Sequence, residues 1–321
     1  MSFQGIEQAF KRNSGIVNNT AVMNSRTLNS IIKADIYFKC ENLQRVGAFK
    51  FRGAYNALNL LSEKDKKRGV ITHSSGNHAQ AVALAASILG IKATIVMPKG
   101  APPNKIDATK GYGATVVFCD NTLIARSQIT EKLIKSHQYV LIHPYDNYDV
   151  ICGQGTAAYE LIKEIGDLDL IIAPLGGGGL LSGTALATKE LCPNAQIIGV
   201  EPSMADDAYR SIQAGYIIPS TYPNTIADGL RTSICEKTFD IIRKNVHHII
   251  TVSEIEIIDA MKFLWQRMKI IVEPSGAVPL AALLGNKINV ENQRIGIILS
   301  GGNIDIEPFF NLLEERCLNN D

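Results

Sequence analysis

Residues 168–191 read LDLIIAPLGGGGLLSGTALATKEL: an apolar β-branched run, four glycines in a row, then a helix of small and apolar residues. The run at 168–173 has no alternation, which is the pattern of a strand buried on both faces of a parallel sheet. Gly176, Gly177, Gly178 and Gly179 then stand between a strand and a helix. Residues without side chains let main-chain N–H groups close around an anion, and the helix that follows adds its positive end, so the loop reads as a phosphate cradle. A tight strand-to-helix turn is the alternative reading. It is not a dinucleotide fingerprint, because Leu181 or Ser182 falls where the third glycine of G-x-G-x-x-G belongs, and no G-x-x-x-x-G-K-[ST] occurs in the chain.

Working outward, the same alternation recurs on both sides. Strand signals at 69–72, 92–97, 115–119, 139–142, 196–200, 248–252 and 294–299 alternate with helical ones at 78–89, 103–110, 123–136, 157–165, 180–191, 254–268 and from 305 onward. Repeated β-α winding predicts parallel sheets covered by helices, with ligands at the carboxyl ends of strands. There is no short-period repeat and no low-complexity linker, so two domains that share interleaved segments are expected.

With 321 residues the chain can bury a full core, and 32 Lys+Arg against 31 Asp+Glu leave a formal charge of +1. That balance excludes the electrostatic footprint of a nucleic-acid or anionic-lipid binder and points to a small substrate. The six cysteines are scattered, with no C-x-x-C pair or zinc spacing, which fits free thiols in a reducing compartment. The N-terminal MSFQGIEQAFKRN lacks a basic flank leading into an apolar stretch, and no apolar run approaches a membrane span. A cytoplasmic protein with no membrane or nucleic-acid partner is expected.

Four further segments carry candidate chemistry. Ser74-Ser75-Gly76-Asn77-His78 opens a helix after a strand, where hydroxyl and main-chain donors suit a carboxylate; serving only as a helix cap is the alternative. In GAFKFRG (47–53), Lys50 lies between aromatic residues, and an amine in apolar surroundings is neutral enough to form a Schiff base. Ser300-Gly301-Gly302-Asn303 puts a hydroxyl at a strand's carboxyl end. Glu201, Ala205 and Asp207 follow another strand, where two carboxylates and a main-chain carbonyl would select a hard cation such as Mg²⁺, Ca²⁺ or Mn²⁺.

Taken in order, FKFRGA, SSGNHAQA, GQGT, GGGG, EPSMADD, IADG, QRMK, EPSGA and LSGGN resemble the fold type II pyridoxal phosphate enzymes over nearly the whole chain. The similarity is to the group that holds serine racemases, threonine/serine dehydratases and 3-hydroxyaspartate dehydratases. It implies a tryptophan synthase β-like α/β fold with two parallel-sheet domains: a large cofactor-binding domain of residues 1–54 and 147–321, and a small mobile domain of residues 55–146. It implies pyridoxal 5'-phosphate as cofactor, with Lys50 as the Schiff-base lysine and Phe49 against the pyridine ring. Gly176 to Gly179 would hold the phosphate, Asn77 the phenolic oxygen and Ser300 the pyridine nitrogen. Ser75, Asn77, His78 and Arg126 resemble the shell around the substrate carboxylate, and Glu201, Ala205 and Asp207 the family's cation site. A homodimer and a nucleotide effector are the implied partners.

The chemistry then implied is proton removal from the Cα of a small hydroxy-amino acid, with Lys50 as the base on one face. Reprotonation on the other face racemises serine; loss of the β-hydroxyl yields a keto acid and ammonia. In this group racemases carry Ser where Ser75 stands and typical threonine dehydratases carry Ala, but 3-hydroxyaspartate dehydratases also carry Ser. Serine racemisation with accompanying dehydration is therefore expected, with dehydration of threonine, serine or 3-hydroxyaspartate as the alternative, and a non-catalytic metabolite-binding protein as a remote one. Tyr145 in HPYDN and the pair Thr232-Ser233 depart from the common pattern near the substrate.

Overall fold

The computed structural model describes residues 2–101 and 103–318. Among the described residues, ten strands fall into two sheets. The larger takes β1 (Val22–Met23), β2 (Asp35–Cys40), β7 (Leu170–Pro174), β8 (Gln196–Pro202), β9 (His248–Val252) and β10 (Arg294–Leu299), in the order β1-β2-β10-β7-β8-β9. The smaller takes β3 (Val70–His73), β4 (Ala93–Pro98), β5 (Thr115–Cys119) and β6 (Val140–Leu141), in the order β5-β4-β3-β6. Every pairing is parallel except β1 with β2. The parallel α/β architecture expected from the alternation is therefore what the chain forms.

The strands that matter most are continuous apolar runs, and β4, β7 and most of β8 and β10 are buried along their length. Helix Pro274–Leu284 explains half of that. It begins with Pro at its first turn, where no N–H is needed, and all but its last residue are buried between the large sheet and helix Glu254–Phe263. The opposite face is closed by helices Phe3–Asn13, Tyr148–Ile165 and Gly179–Leu191.

Helix Tyr148–Ile165 starts well before the expected 157, capped by the Asn147 side chain, which accepts from the N–H groups of Asp149 and Val150. Gly153 and Gly155 obscured it, since glycine is unfavourable inside a helix. Here tertiary packing demands them: a Cβ on Gly155 would lie 2.8 Å from the carbonyl oxygen of Gly183 on helix Gly179–Leu191. Among the other elements not anticipated are β2, helix Phe3–Asn13 and helix Pro274–Leu284. The expected helix at 254–268 is regular only to Phe263 and continues as a π-helical turn to Met268. The described cysteines Cys40, Cys119, Cys152, Cys192 and Cys235 are free thiols, while the side chain of Cys317 lies outside the described residues. No helix among the described residues is long and apolar enough to cross a membrane.

Candidate active site

Parallel order puts the loops after β3, β7 and β10 at carboxyl edges, and they meet the segment after β2 around one cavity of about 260 Å³. Phe49, Lys50, Ser75, Asn77, His78, Arg126, all four glycines of 176–179 and Ser300 line it. Glu201, Ala205 and Asp207 do not.

Lys50 opens helix Lys50–Asn59 and is placed by its neighbours. The Phe49 N–H donates to the Ser300 carbonyl at 3.0 Å, and Ala48 pairs with Gly301, which fixes Lys50 beside the end of β10. One turn inward, the buried Arg52 guanidinium bridges Glu41 and Glu160 with N–O distances of 2.7 Å, and Lys39 reaches Glu160 at 2.8 Å. Burial pushes the Glu41 carboxyl up, but the Arg52 charge and its hydrogen bonds, with Thr20 and Lys39, outweigh that and hold it below its ordinary value. The amine of Lys50 lies 4.9 Å from the Phe49 ring centre and donates to the Pro144 carbonyl at 3.3 Å. Removal from water pushes it down to about 8, against an upward pull from Glu273, so a usable fraction is neutral near physiological pH.

The glycine loop fits a phosphate. Gly178 has φ +85° and caps helix Gly179–Leu191 with no side-chain bond, so the first N–H groups of that helix remain for a ligand. A Cβ on Gly177 would overlap the ring of Tyr145. A β-carbon therefore has no room at Gly177, beside the Tyr145 ring that lines the same cavity.

In the SSGNH segment the helix cap is Gly76 rather than a serine, and Ser74 Oγ accepts from the Gly76 N–H. The Ser75 hydroxyl is thus not consumed as a cap. His78 Nε2 lies 3.0 Å from the Ile142 carbonyl, which makes it the protonated nitrogen, and buried Nδ1 has no partner among the described residues. Burial, with Lys50 nearby, pushes the ring down to about 3, so it stays neutral. Toward a carboxylate the His78 side chain therefore offers an acceptor, and its donor is the main-chain N–H in the first helical turn.

Three residues unassigned at the sequence level belong to this site. Glu273, from EPSGA, is buried and accepts from Asn77 Nδ2 at 2.9 and 3.1 Å; its other contact is the Asn303 N–H at 3.1 Å. Burial and then Asp228 push its carboxyl up to about 7. Asn303 Nδ2 donates to Asn77 Oδ1 at 2.8 Å, which settles the orientation of the Asn77 amide. Gln154, in GQGT, donates from Nε2 to the Pro144 carbonyl at 3.1 Å and so steadies the acceptor of Lys50. Their motifs were visible; the contacts, spanning up to 226 residues, were not.

Glu201 and Asp207 are fully buried apart from this cavity. Glu201 accepts from the N–H groups of Ala208 and Tyr209, and Asp207 Oδ2 from that of Ile234, but buried Asp207 Oδ1 has no partner among the described residues. Burial, then the neighbouring Asp207 charge, pushes Glu201 well above the usual carboxylate range, and burial lifts Asp207 to about 6. An orphaned oxygen and two crowded carboxylates fit a cation, although no three His, Cys, Asp or Glu side chains converge among the described residues.

A match to the family described as "Pyridoxal-phosphate dependent enzyme" covers residues 14–301. The chain is 50% identical over 314 residues to L-threo-3-hydroxyaspartate ammonia-lyase of Pseudomonas sp, spanning 98% of each. It is 47% identical over 317 residues to serine racemase of Dictyostelium discoideum, again spanning 98% of each. The crystal structure of the Dictyostelium discoideum serine racemase superposes with a TM-score of 0.92, covering 95% of this chain and 99% of that one. With the cavity, the buried lysine and the glycine cradle in place, the chain belongs to the pyridoxal-phosphate dependent enzymes.

Proposed function

We propose that this protein is a serine racemase that also dehydrates serine to pyruvate and ammonia. The observation that carries the reading is the single cavity shared by Lys50, Ser75 and the glycine loop. Pyridoxal phosphate, when bound, supplies a carbonyl for an amine and an electron sink that acidifies Cα–H. Gly176, Gly177, Gly178 and Gly179 would hold its phosphate, Phe49 its ring, Asn77 its phenolic oxygen and Ser300 its pyridine nitrogen. Lys50 Nζ, with Pro144 as acceptor, takes or returns the Cα proton on one face, and Ser75 Oγ does so on the other. The start of helix Asn77–Ile88, with the hydroxyl of Ser75, the main-chain N–H of His78 and the guanidinium of Arg126, receives the substrate carboxylate. Residues 55–146 form the smaller unit, whose approach to residues 1–54 and 147–321 excludes water from the carbanion. Glu201, Asp207 and the Ala205 carbonyl hold a divalent cation as a structural element.

A second reading, dehydration of 3-hydroxyaspartate, is favoured by the two cationic side chains, Lys105 and Arg126, on the cavity wall. Incubation with L-serine, L-threonine and L-threo-3-hydroxyaspartate in the presence of pyridoxal phosphate and Mg²⁺ tests both. D-serine and pyruvate from L-serine are expected; keto acid from any of the three without D-serine would replace the racemase reading with a lyase.

A further inference from the structure

Lys105 sits in helix Pro103–Gly111, on the side of the smaller sheet, and Asp228 in the short turn Asp228–Leu230 on the side of the larger one. Both line the active-site cavity, and Lys105 Nζ meets Asp228 Oδ2 at 3.0 Å across it. The Lys105 side chain is 17% exposed and that of Asp228 50%. The cation is thus held in the wall while its partner remains solvated and displaceable.

The charges facing the substrate end make this pair informative. The phosphate cradle offers glycine N–H groups and a helix start and so needs no side-chain cation, which leaves Lys105 and Arg126 for the substrate. His73 and His78 are both pushed below the ordinary imidazole value by burial and add no cation at neutral pH. With Lys50 committed to the cofactor and Glu273 already held by Asn77 and the Asn303 N–H, the charges left for a substrate are Lys105 and Arg126 against Asp228, a net single positive charge that one α-carboxylate satisfies. A substrate with a second carboxylate needs a second cation, and the cation within reach is the one that Asp228 occupies.

We propose, resting on the hydroxy-amino-acid reading above, that Lys105 is the receptor for the β-carboxylate of a dicarboxylic substrate and that Asp228 is its internal placeholder. With serine bound the Lys105–Asp228 pair stays closed. With 3-hydroxyaspartate the substrate carboxylate replaces Asp228 on Lys105, and Asp228 turns to solvent. Asp228 thereby sets how strongly the enzyme discriminates between the two substrate classes, because displacing a partner costs part of the new charge-assisted bond.

The test compares kcat/KM for L-threo-3-hydroxyaspartate and L-serine in the holoenzyme. In Lys105→Gln the ratio of the two should fall about tenfold or more, in Asp228→Asn it should rise several-fold, and Lys105→Arg should recover most of the loss. Malonate, a dicarboxylate probe, should raise the melting temperature of the wild-type holoenzyme more than acetate does, and Lys105→Gln should erase that difference. An unchanged ratio in Lys105→Gln, an equal fall for both substrates, or turnover of serine with none of 3-hydroxyaspartate by the wild type overturns the proposal while leaving the serine reading intact. No turnover of either substrate by the wild type overturns both.

Discussion

Asn77 and Glu273 stand 196 residues apart in the chain and hold each other in the cavity wall, with Asn77 Nδ2 at 2.9 and 3.1 Å from the two carboxylate oxygens. One opens helix Asn77–Ile88, which follows β3, and the other caps the start of helix Pro274–Leu284, so the contact joins elements of the two sheets at the active site. Glu273 also acts on Lys50, whose amine it pulls upward against the effect of burial.

Replacing Glu273 by Gln keeps the shape and removes that charge. Above about pH 7, where Glu273 is ionised, the Lys50 amine should lose its proton more readily in the variant, so its midpoint should move below about 8. The pH dependence of Lys50 labelling by a small amine-reactive reagent in cofactor-free protein, read by peptide mass spectrometry, measures this. A midpoint that stays put or rises would show that Glu273 does not reach Lys50 electrostatically.

Gly177→Ala should empty the cradle, because the added methyl meets the Tyr145 ring. Cofactor content per chain, measured by absorbance after desalting, is expected to fall several-fold, and Gly177→Ala with Tyr145→Ala should regain part of it. Full retention in the single variant would mean that the loop has more room than its packing indicates.

Arg52→Met leaves Glu41 and Glu160 buried or nearly so without their shared partner. A loss of about 3–5 kcal/mol is expected, lowering the melting temperature by on the order of 10 °C. Glu41 is held below its ordinary value, so the stability it contributes is present above about pH 4.5 and disappears as pH falls through its native value. The wild-type advantage should shrink accordingly on acidification, and an advantage that is flat with pH would contradict the assignment.

Chelation should remove a stabilising cation from Glu201 and Asp207. At a hundredfold excess over Kd the ion contributes about 2.7 kcal/mol, so EDTA should lower the melting temperature by several degrees and Mg²⁺ should restore it. Asp207→Asn should abolish the response. A wild-type melting temperature indifferent to both additions would leave the two carboxylates as an uncompensated pair.

Much of this was legible in the chain itself. Strands β7, β8 and β10 announce themselves because both faces are buried and the runs are largely apolar, whereas β9, at the sheet's edge and only partly buried, is marked by its β-branched residues; β10 begins and ends where its pattern does. Lys50, Ser75, Asn77 and the glycine loop stand in local motifs, and the fold brings them to one cavity. Helix Tyr148–Ile165 hid its first turns because Gly153 and Gly155 answer to packing against other helices rather than to helix propensity. Glu273, Gln154 and Lys105 escaped for a related reason, since each has a partner or carbonyl that only the folded chain brings near. The side-chain role of His78 was also beyond local reading, because the Ile142 carbonyl, 64 residues away, decides which nitrogen carries the proton.

The most direct measurement is the product ratio from L-serine for wild type and Ser75→Ala, with D-serine resolved by chiral chromatography and pyruvate measured alongside. The wild type should form both, and the variant should lose D-serine by at least a hundredfold while it continues to release pyruvate, because Lys50 still serves its own face. D-serine formed equally fast by the variant, or not formed by the wild type at all, would contradict the assignment of Ser75 as the second acid and base.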